Sequence, residues 1–365
     1  MARMGLGKKW RCLFANDFNP SKARTYRANW GSNHFHEGDV AKIKPFDLPG
    51  VADLAWASFP CQDLSLAGAG AGLNGERSGT FWPFWRLIQG LDKEDRAPRM
   101  IVLENVYGAL TSNEGKDFAA IGEALTKGGY KFGAVVIDAA LFVPQSRQRL
   151  FIIGLSQEME VPKSIESLFP IHSWHPSALM KAHRKLSKSA QKNWIWWNIK
   201  KPPKRTIQFS DLIEENPQSV RWHTPEETHQ LLNMMSEVNA AKVEEAKKSG
   251  RRMVGGIYKR TRHGIQRAEV RFDGVSGCLR TPAGGSSRQS ILVVKGKNIR
   301  SRLLSTREAA RLMGLPDDYK LPDRYNDAYH LAGDGVVIPV VRHITSNILA
   351  PVLSAYTINP SKKVA

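Results

Sequence analysis

Along the N-terminal part of the chain, short apolar runs alternate with longer stretches whose apolar positions recur at helical spacing. Residues 10–16 form an apolar run that stops at Asp17-Phe18-Asn19-Pro20, and the spacing predicts a helix over 21–29 with Ser21 near its N-cap. A second strand is expected over 35–40, ending at Asp39-Val40, and a third over 51–57. Residues 81–91 read as a helix with aromatic anchors, and 100–103 as a buried strand running into Glu104-Asn105-Val106. A helix over 115–128 and strands over 132–137 and 150–153 complete the alternation. Strand and helix in turn predict an α/β fold with a doubly wound, mostly parallel sheet. After Gly154 the rhythm breaks: residues 155–222 are rich in proline, tryptophan and basic side chains, with little periodicity. A helix is then expected from Thr224 to about Lys248, strand-like sequence over 255–275, a helix over 306–313 and a closing helix over 338–356, with no internal repeat.

Composition narrows the class. The chain has 365 residues, 42% of them apolar, enough for one large domain and a smaller one. No uninterrupted apolar run approaches the roughly 18 residues of a membrane span, and the first residues lack the apolar core of a signal peptide. Three cysteines, Cys12, Cys61 and Cys278, are too few and too scattered for a disulfide framework or a zinc site, so a reducing cytoplasm is expected and no metal. The net charge of +19 favours polyanionic partners. Residues 181–205 carry nine Lys and Arg and no acid, interleaved with Trp194, Trp196 and Trp197, a mixture suited to neutralising phosphates and stacking on bases. Residues 251–271 carry seven more, Arg251, Arg252, Lys259, Arg260, Arg262, Arg267 and Arg271.

The chemistry is carried by separated pieces. Ala57-Ser58-Phe59-Pro60-Cys61-Gln62 presents a cysteine just beyond a strand, and the Gly-, Ala- and Ser-rich residues 63–79 follow it as a loop. In open α/β sheets, reactive groups sit beyond the carboxyl ends of strands. Further on stand Glu104-Asn105-Val106, Gln145-x-Arg147-x-Arg149, Arg302-x-x-x-Thr306-Arg307-Glu308-x-x-Arg311-Leu312-Met313-Gly314 and Gly333-Asp334-Gly335-Val336-Val337-x-Pro339. Each alone has a plainer reading: a cap, a solvated turn, a helix start. In this order and spacing, from about Trp10 to Ile348, they resemble the DNA (cytosine-5)-methyltransferase family.

The resemblance implies a mechanism. Cys61 is expected as the thiolate that adds to carbon 6 of a cytosine flipped out of the duplex, Glu104 as the group on N3 and the exocyclic amine, and Arg147 and Arg149 as base-holding cations, with Arg149 the stronger candidate for direct contact. Gln62, Ser65, Arg77 and Gln145 are expected at the DNA. S-adenosylmethionine is the implied co-substrate, held by Asp17, Phe18, Asp39, Val40, Pro60 and Val336. The implied domains are a catalytic part, 1–160, a smaller mixed target-recognition part, 161–325, and a segment, 326–365, returning to the catalytic part. Arg260, Arg262 and Arg288 are expected to touch DNA, with residues 284–289 as a close-approach loop. Double-stranded DNA is the expected partner, a restriction endonuclease of the same specificity a further candidate, and a monomer the expected state. A tRNA methyltransferase and a non-catalytic DNA-binding remnant are the alternatives.

Three positions depart from the family's pattern. Asp17 stands where Glu is commoner, and Asp334 where Asn is usual. The Phe-x-Gly-x-Gly-Gly loop that cradles the methionine half of the co-substrate does not occur before Trp10. The expectation is that this chain, as it stands, binds S-adenosylmethionine weakly. Isothermal titration is expected to give a dissociation constant above the micromolar range, and micromolar or tighter binding contradicts it.

Overall fold

Residues 1–59, 81–262, 264–281 and 288–358 are described by the structure, a computed structural model. Strands β1 (Ala15–Asp17) and β2 (Phe35–Glu37) pair in parallel and stand as a two-stranded sheet. Between them runs the helix Pro20–Trp30. Its N-cap is Asn19, whose side chain accepts from the Ser21 and Lys22 amides, so the helix starts one residue earlier than Ser21 suggests.

The central sheet holds β3 (Leu54–Ser58), β4 (Met100–Val106), β5 (Tyr130–Asp138) and β6 (Gln148–Ser156) in the order β3-β4-β6-β5. The α/β class holds. The pairing is mixed: β3–β4 is parallel, while β4–β6 and β5–β6 are antiparallel. The reason is local. Only the short stretch Ala139–Arg147 joins β5 to β6, too little chain for a parallel crossover.

Successive side chains of a strand point to opposite faces, and both faces of this sheet are covered. Met100, Val102, Phe151 and Ile153 lie in one apolar cluster, Ile101, Leu103, Leu150 and Ile152 in another. Helices Phe81–Asp92 and Lys116–Lys127 cover the second face. The C-terminal helices cover the first, with Val341, Ile344, Ile348, Leu349 and Val352 in its core. The expected closing helix is helical throughout, but runs as Ile338–Ile344, a π-helical turn Thr345–Leu349, and Ala350–Ile358. The stretch Tyr325–Thr357 is long and apolar enough to cross a membrane by composition, yet 56% of that apolar window is buried in the fold.

Residues 163–199, expected within the recognition part that begins at 161, pack against the central sheet. They cover the free edge of β5. Phe132 exchanges backbone hydrogen bonds with Asn193 and Ile195, at 2.8 and 2.7 Å, and Val136 N–H donates to Trp174 O at 2.8 Å. Strands β7 (Glu166–Ser167) and β8 (Trp196–Trp197) form a small antiparallel pair there. An exposed sheet edge invites pairing, and covering it removes the hazard. The tryptophans therefore serve packing. Trp197 is wholly buried, and Trp194 meets Phe132, Phe118, His183 and Trp196.

The second sheet is antiparallel: β9 (Arg252–Arg262), β10 (Ile265–Arg271), β11 (Ser290–Lys295) and β12 (Asn298–Leu303), in the order β10-β9-β11-β12. Two helices pack on it, Pro225–Asn233 and Glu237–Lys248, where one was expected. The break at 234–236 has a cause: Ala268 N–H donates to Met234 O at 3.0 Å, drawing that turn onto the edge of β10.

Candidate active site

The carboxyl end of β4 delivers Glu104, 6% exposed, at the register position opposite Ser58 of β3. The next residue, Asn105, is buried and donates from Nδ2 to Phe59 O at 3.0 Å. Phe59 itself packs on Phe81, with ring centroids 5.6 Å apart. Phe59 and Phe81, the described residues that bracket positions 60–80 in sequence, thus meet near Glu104. Pro60, Cys61, Gln62, Ser65 and Arg77 lie outside the described residues. Asn105 belongs to a recognisable motif, but nothing in its type or spacing announced that it would tether the strand before the cysteine.

Arg149 pairs in register with Val106, two residues along from Glu104's partner Phe151. That offset places both side chains on one face as diagonal neighbours, and Arg149 Nε lies 3.2 Å from Glu104 Oε1. The side chains are 15% and 7% exposed, so the pair is largely dehydrated.

Two other members of the Gln145-x-Arg147-x-Arg149 run are placed differently from expectation. Gln145 is fully buried. Its Nε2 donates to Leu312 O at 2.8 Å and its Oε1 accepts from Leu279 N at 3.0 Å, so it ties backbone segments together and is not at a DNA surface. Arg147 is 2% exposed. Its guanidinium donates to Leu279 O, Gly333 O and Gly335 O, each at 2.8 Å, and its backbone N–H to Asp138 Oδ1 at 2.9 Å. Burial, aided by the nearby Arg149 charge, pulls its pKa below the usual arginine value. Arg147 is a brace between three segments and has no face toward a base. Sequence could not show this, because the carbonyls it holds come from residues 130 and more positions away.

The expected co-substrate residues divide. Asp17, Phe18 and Asp39 stand together at the carboxyl ends of β1 and β2, where Asn16 Nδ2 donates to Gly38 O at 2.8 Å. One oxygen of Asp17 accepts from Asn19 N and one of Asp39 from Ala41 N, both at 2.9 Å. Phe18 is 73% exposed, an aromatic face open beside two carboxylates. Val40, next to Asp39, is half-buried. Val336 is not available: it is 5% exposed and packed in the core.

Asp334 accepts from Thr281 Oγ1 and pairs with Lys22 Nζ at 2.6 Å. The charge at this position thus has a cation set against it, which links the C-terminal motif to the helix after Asp17-Phe18. Glu308 is the N3 member of a capping box with Ser305 and forms a fully buried pair with Arg302, Oε1 to NH2 2.6 Å. That pair roots β12 on the segment leading back to the catalytic part.

On the recognition sheet, Arg260 is exposed over the Tyr258 ring, 4.7 Å from its centroid. The side chain of Arg262 and residues 284–287 lie outside the described residues. Arg288 stacks 5.7 Å from the Tyr325 ring centroid. Gln289, expected in the close-approach loop, is buried and bonded to Ser276 and Gly277. Arg252 and Arg271 are ion-paired, to Glu215 and Asp273.

A family profile of C-5 cytosine-specific DNA methylases matches residues 2–350. The chain belongs to that family. It is therefore a methyltransferase by descent. Its relatives include the type II methyltransferases M.BsuFI of Bacillus subtilis, 26% identical over 94% of this chain and 68% of that protein, and M.Bsp6I of Bacillus sp. (strain RFL6), 27% identical over 93% and 92%. M.HhaI of Haemophilus parahaemolyticus is 24% identical over 92% and 87%. Among solved structures, the S. pombe Dnmt2 methyltransferase shares the fold, with a TM-score of 0.58 at 17% identity over 96% of this chain and 94% of that one.

The geometry around Arg147 makes a direct prediction. Arg147→Ala strands two buried carbonyls and one half-buried one, which is expected to cost roughly 3 kcal/mol or more. Arg147→Lys is expected to recover only part, since one ammonium cannot span the three acceptors. Urea unfolding measures both, and a loss under about 1 kcal/mol for the alanine variant contradicts the brace.

Proposed function

We propose that this methyltransferase transfers a methyl group to carbon 5 of a cytosine flipped out of duplex DNA, through a covalent adduct with Cys61. The observation that carries the reading is the dehydrated Glu104–Arg149 pair beside the tethered Phe59. Cys61 follows Phe59 by two residues, so chain length alone keeps it within about 7 Å of that anchor.

The parts act as follows. The Cys61 thiolate adds to carbon 6 of the base. Glu104 holds N3 and the exocyclic amine, and its negative charge favours uptake of a solvent proton at N3 as electron density moves into the ring. Arg149 fixes the Glu104 carboxylate and balances charge at the base. S-adenosylmethionine, when bound, supplies the electrophilic methyl group that carbon 5 captures. Water takes the carbon-5 proton as the electrons of that bond expel the Cys61 thiolate, and N3 gives its added proton back to solvent, which restores aromaticity and frees the enzyme. Asp17 and Asp39 offer acceptors for an adenosine, and the open face of Phe18 offers a surface for its base, so the residues present fit that half of the co-substrate. Arg147 and Gln145 position the site without touching the substrate.

DNA is favoured over tRNA by the family's description and by the separate, basic recognition sheet, which suits groove reading. Arg260, Arg262 and Arg288 are its proposed DNA contacts. A site-specific enzyme of this kind acts in a prokaryotic cytoplasm or nucleoid, as a monomer, alongside an endonuclease of the same specificity.

Labelled S-adenosylmethionine in excess, offered with duplex DNA and tRNA side by side, tests the reading. Label is expected as 5-methylcytosine in DNA, lost with Cys61→Ser and slowed by about 10²–10⁴-fold with Glu104→Gln. Label in tRNA alone, or a Cys61→Ser protein at the wild-type rate, overturns it.

A further inference from the structure

The basic residues between 181 and 192 have no place in the chemistry above, and the tryptophans interleaved with them face inward. What remains outside is charge. Helix Ser177–Arg184 buries Leu179 and Ala182, and helix Lys188–Lys192 buries Ala190. Lys181 and Arg184, three apart, share one exposed face, as do Lys188 and Lys192, four apart. Among the described residues, none of these four takes part in an ion pair. Glu123 accepts from Ser187 Oγ at 2.9 Å and pairs with Lys127 at 3.4 Å.

Placement matters as much as charge. Helix Ser177–Arg184 packs against the turn Tyr107–Leu110, which begins directly after Glu104-Asn105-Val106. Lys185 Nζ donates to Glu114 O, locking the helical pair to that exit from β4. The pair belongs to the apolar cluster on one face of the central sheet, while Val254, Leu279 and Ile291 of the recognition region belong to the cluster on the other. The helical pair and the recognition region thus stand on opposite faces of the sheet that carries Glu104.

We propose that the cationic face carried by Lys181, Arg184, Lys188 and Lys192 is a sequence-independent binding surface for the phosphate backbone of duplex DNA, on the flank opposite the recognition sheet. It rests on the reading of the enzyme as a DNA methyltransferase. It holds the duplex while the recognition sheet reads bases, a division seen generally between phosphate and base contacts.

Binding of the full chain to a fluorescent duplex of alternating A and T, followed by anisotropy between 50 and 250 mM salt, tests it. For the variant with Lys181, Arg184, Lys188 and Lys192 all changed to Gln, the slope of log affinity against log salt is expected to become shallower by roughly 2 to 4, at about 0.9 per lost phosphate contact. Discrimination between a cognate and a scrambled duplex is expected to persist. Should the fourfold variant unfold, as judged by circular dichroism, the Lys188→Glu/Lys192→Glu variant must weaken the same binding at least tenfold. A folded variant with an unchanged slope overturns the surface, as does weakened tRNA binding with duplex binding intact. A wild-type protein that methylates DNA while its variant keeps the slope refutes the surface alone. A wild-type protein that methylates no DNA refutes the reading beneath it.

Discussion

One buried guanidinium joins the parts of this molecule. Arg147 immediately precedes β6 and donates to carbonyls of Leu279, Gly333 and Gly335, which lie on chain segments far away in sequence. Taking a charged group out of water is costly unless every donor finds an acceptor. Carbonyls converging from the recognition region and the C-terminal motif offset that cost at the two terminal nitrogens, while Nε, among the described residues, has no partner. Once Arg147 is fixed, the start of the strand that follows it is fixed, and Arg149 two residues on is held beside Glu104. Gln145, on the same run, repeats the device with Leu279 N and Leu312 O. The Arg302–Glu308 pair roots the recognition sheet in the same manner, with both side chains sealed from solvent.

The α/β architecture was readable because strand and helix periods are strong local signals. The run Met100-Ile101-Val102-Leu103 is apolar at every position, as a strand covered on both faces must be, and it is the strand that carries Glu104. Asp17, Phe18 and Asp39 were legible as a group because each ends a strand, and parallel pairing brings such ends together. The Thr306-Arg307-Glu308 segment was legible as a helix start, and Ser305 caps it.

What was not legible depends on partners that local sequence does not name. Gln145 and Arg147 are polar residues at a strand end near expected chemistry, which reads as a site; only the fold shows that they face buried carbonyls. Trp194, Trp196 and Trp197 among lysines read as a base-stacking surface, yet the open edge of β5 draws the aromatics inward and leaves the lysines outside. The helix expected through Met234 breaks where the Ala268 amide of β10 donates to that turn's Met234 carbonyl. Val336 sits in a motif near the co-substrate site but points into the core. In each case, tertiary partners overrode a correct local reading.

The central claim is that the β4 carboxyl end and the tethered Phe59 present Cys61 to a flipped cytosine. Covalent trapping tests it most directly. Duplex DNA carrying 5-fluorocytosine at the target, incubated with the protein and S-adenosylmethionine, should give a denaturant-resistant adduct, because fluorine cannot leave as the carbon-5 proton does. Mass analysis of the digested adduct is predicted to place the base on Cys61, with no adduct from Cys61→Ser. No adduct under conditions that saturate the protein with both substrates, or a base linked to another residue, would contradict the account.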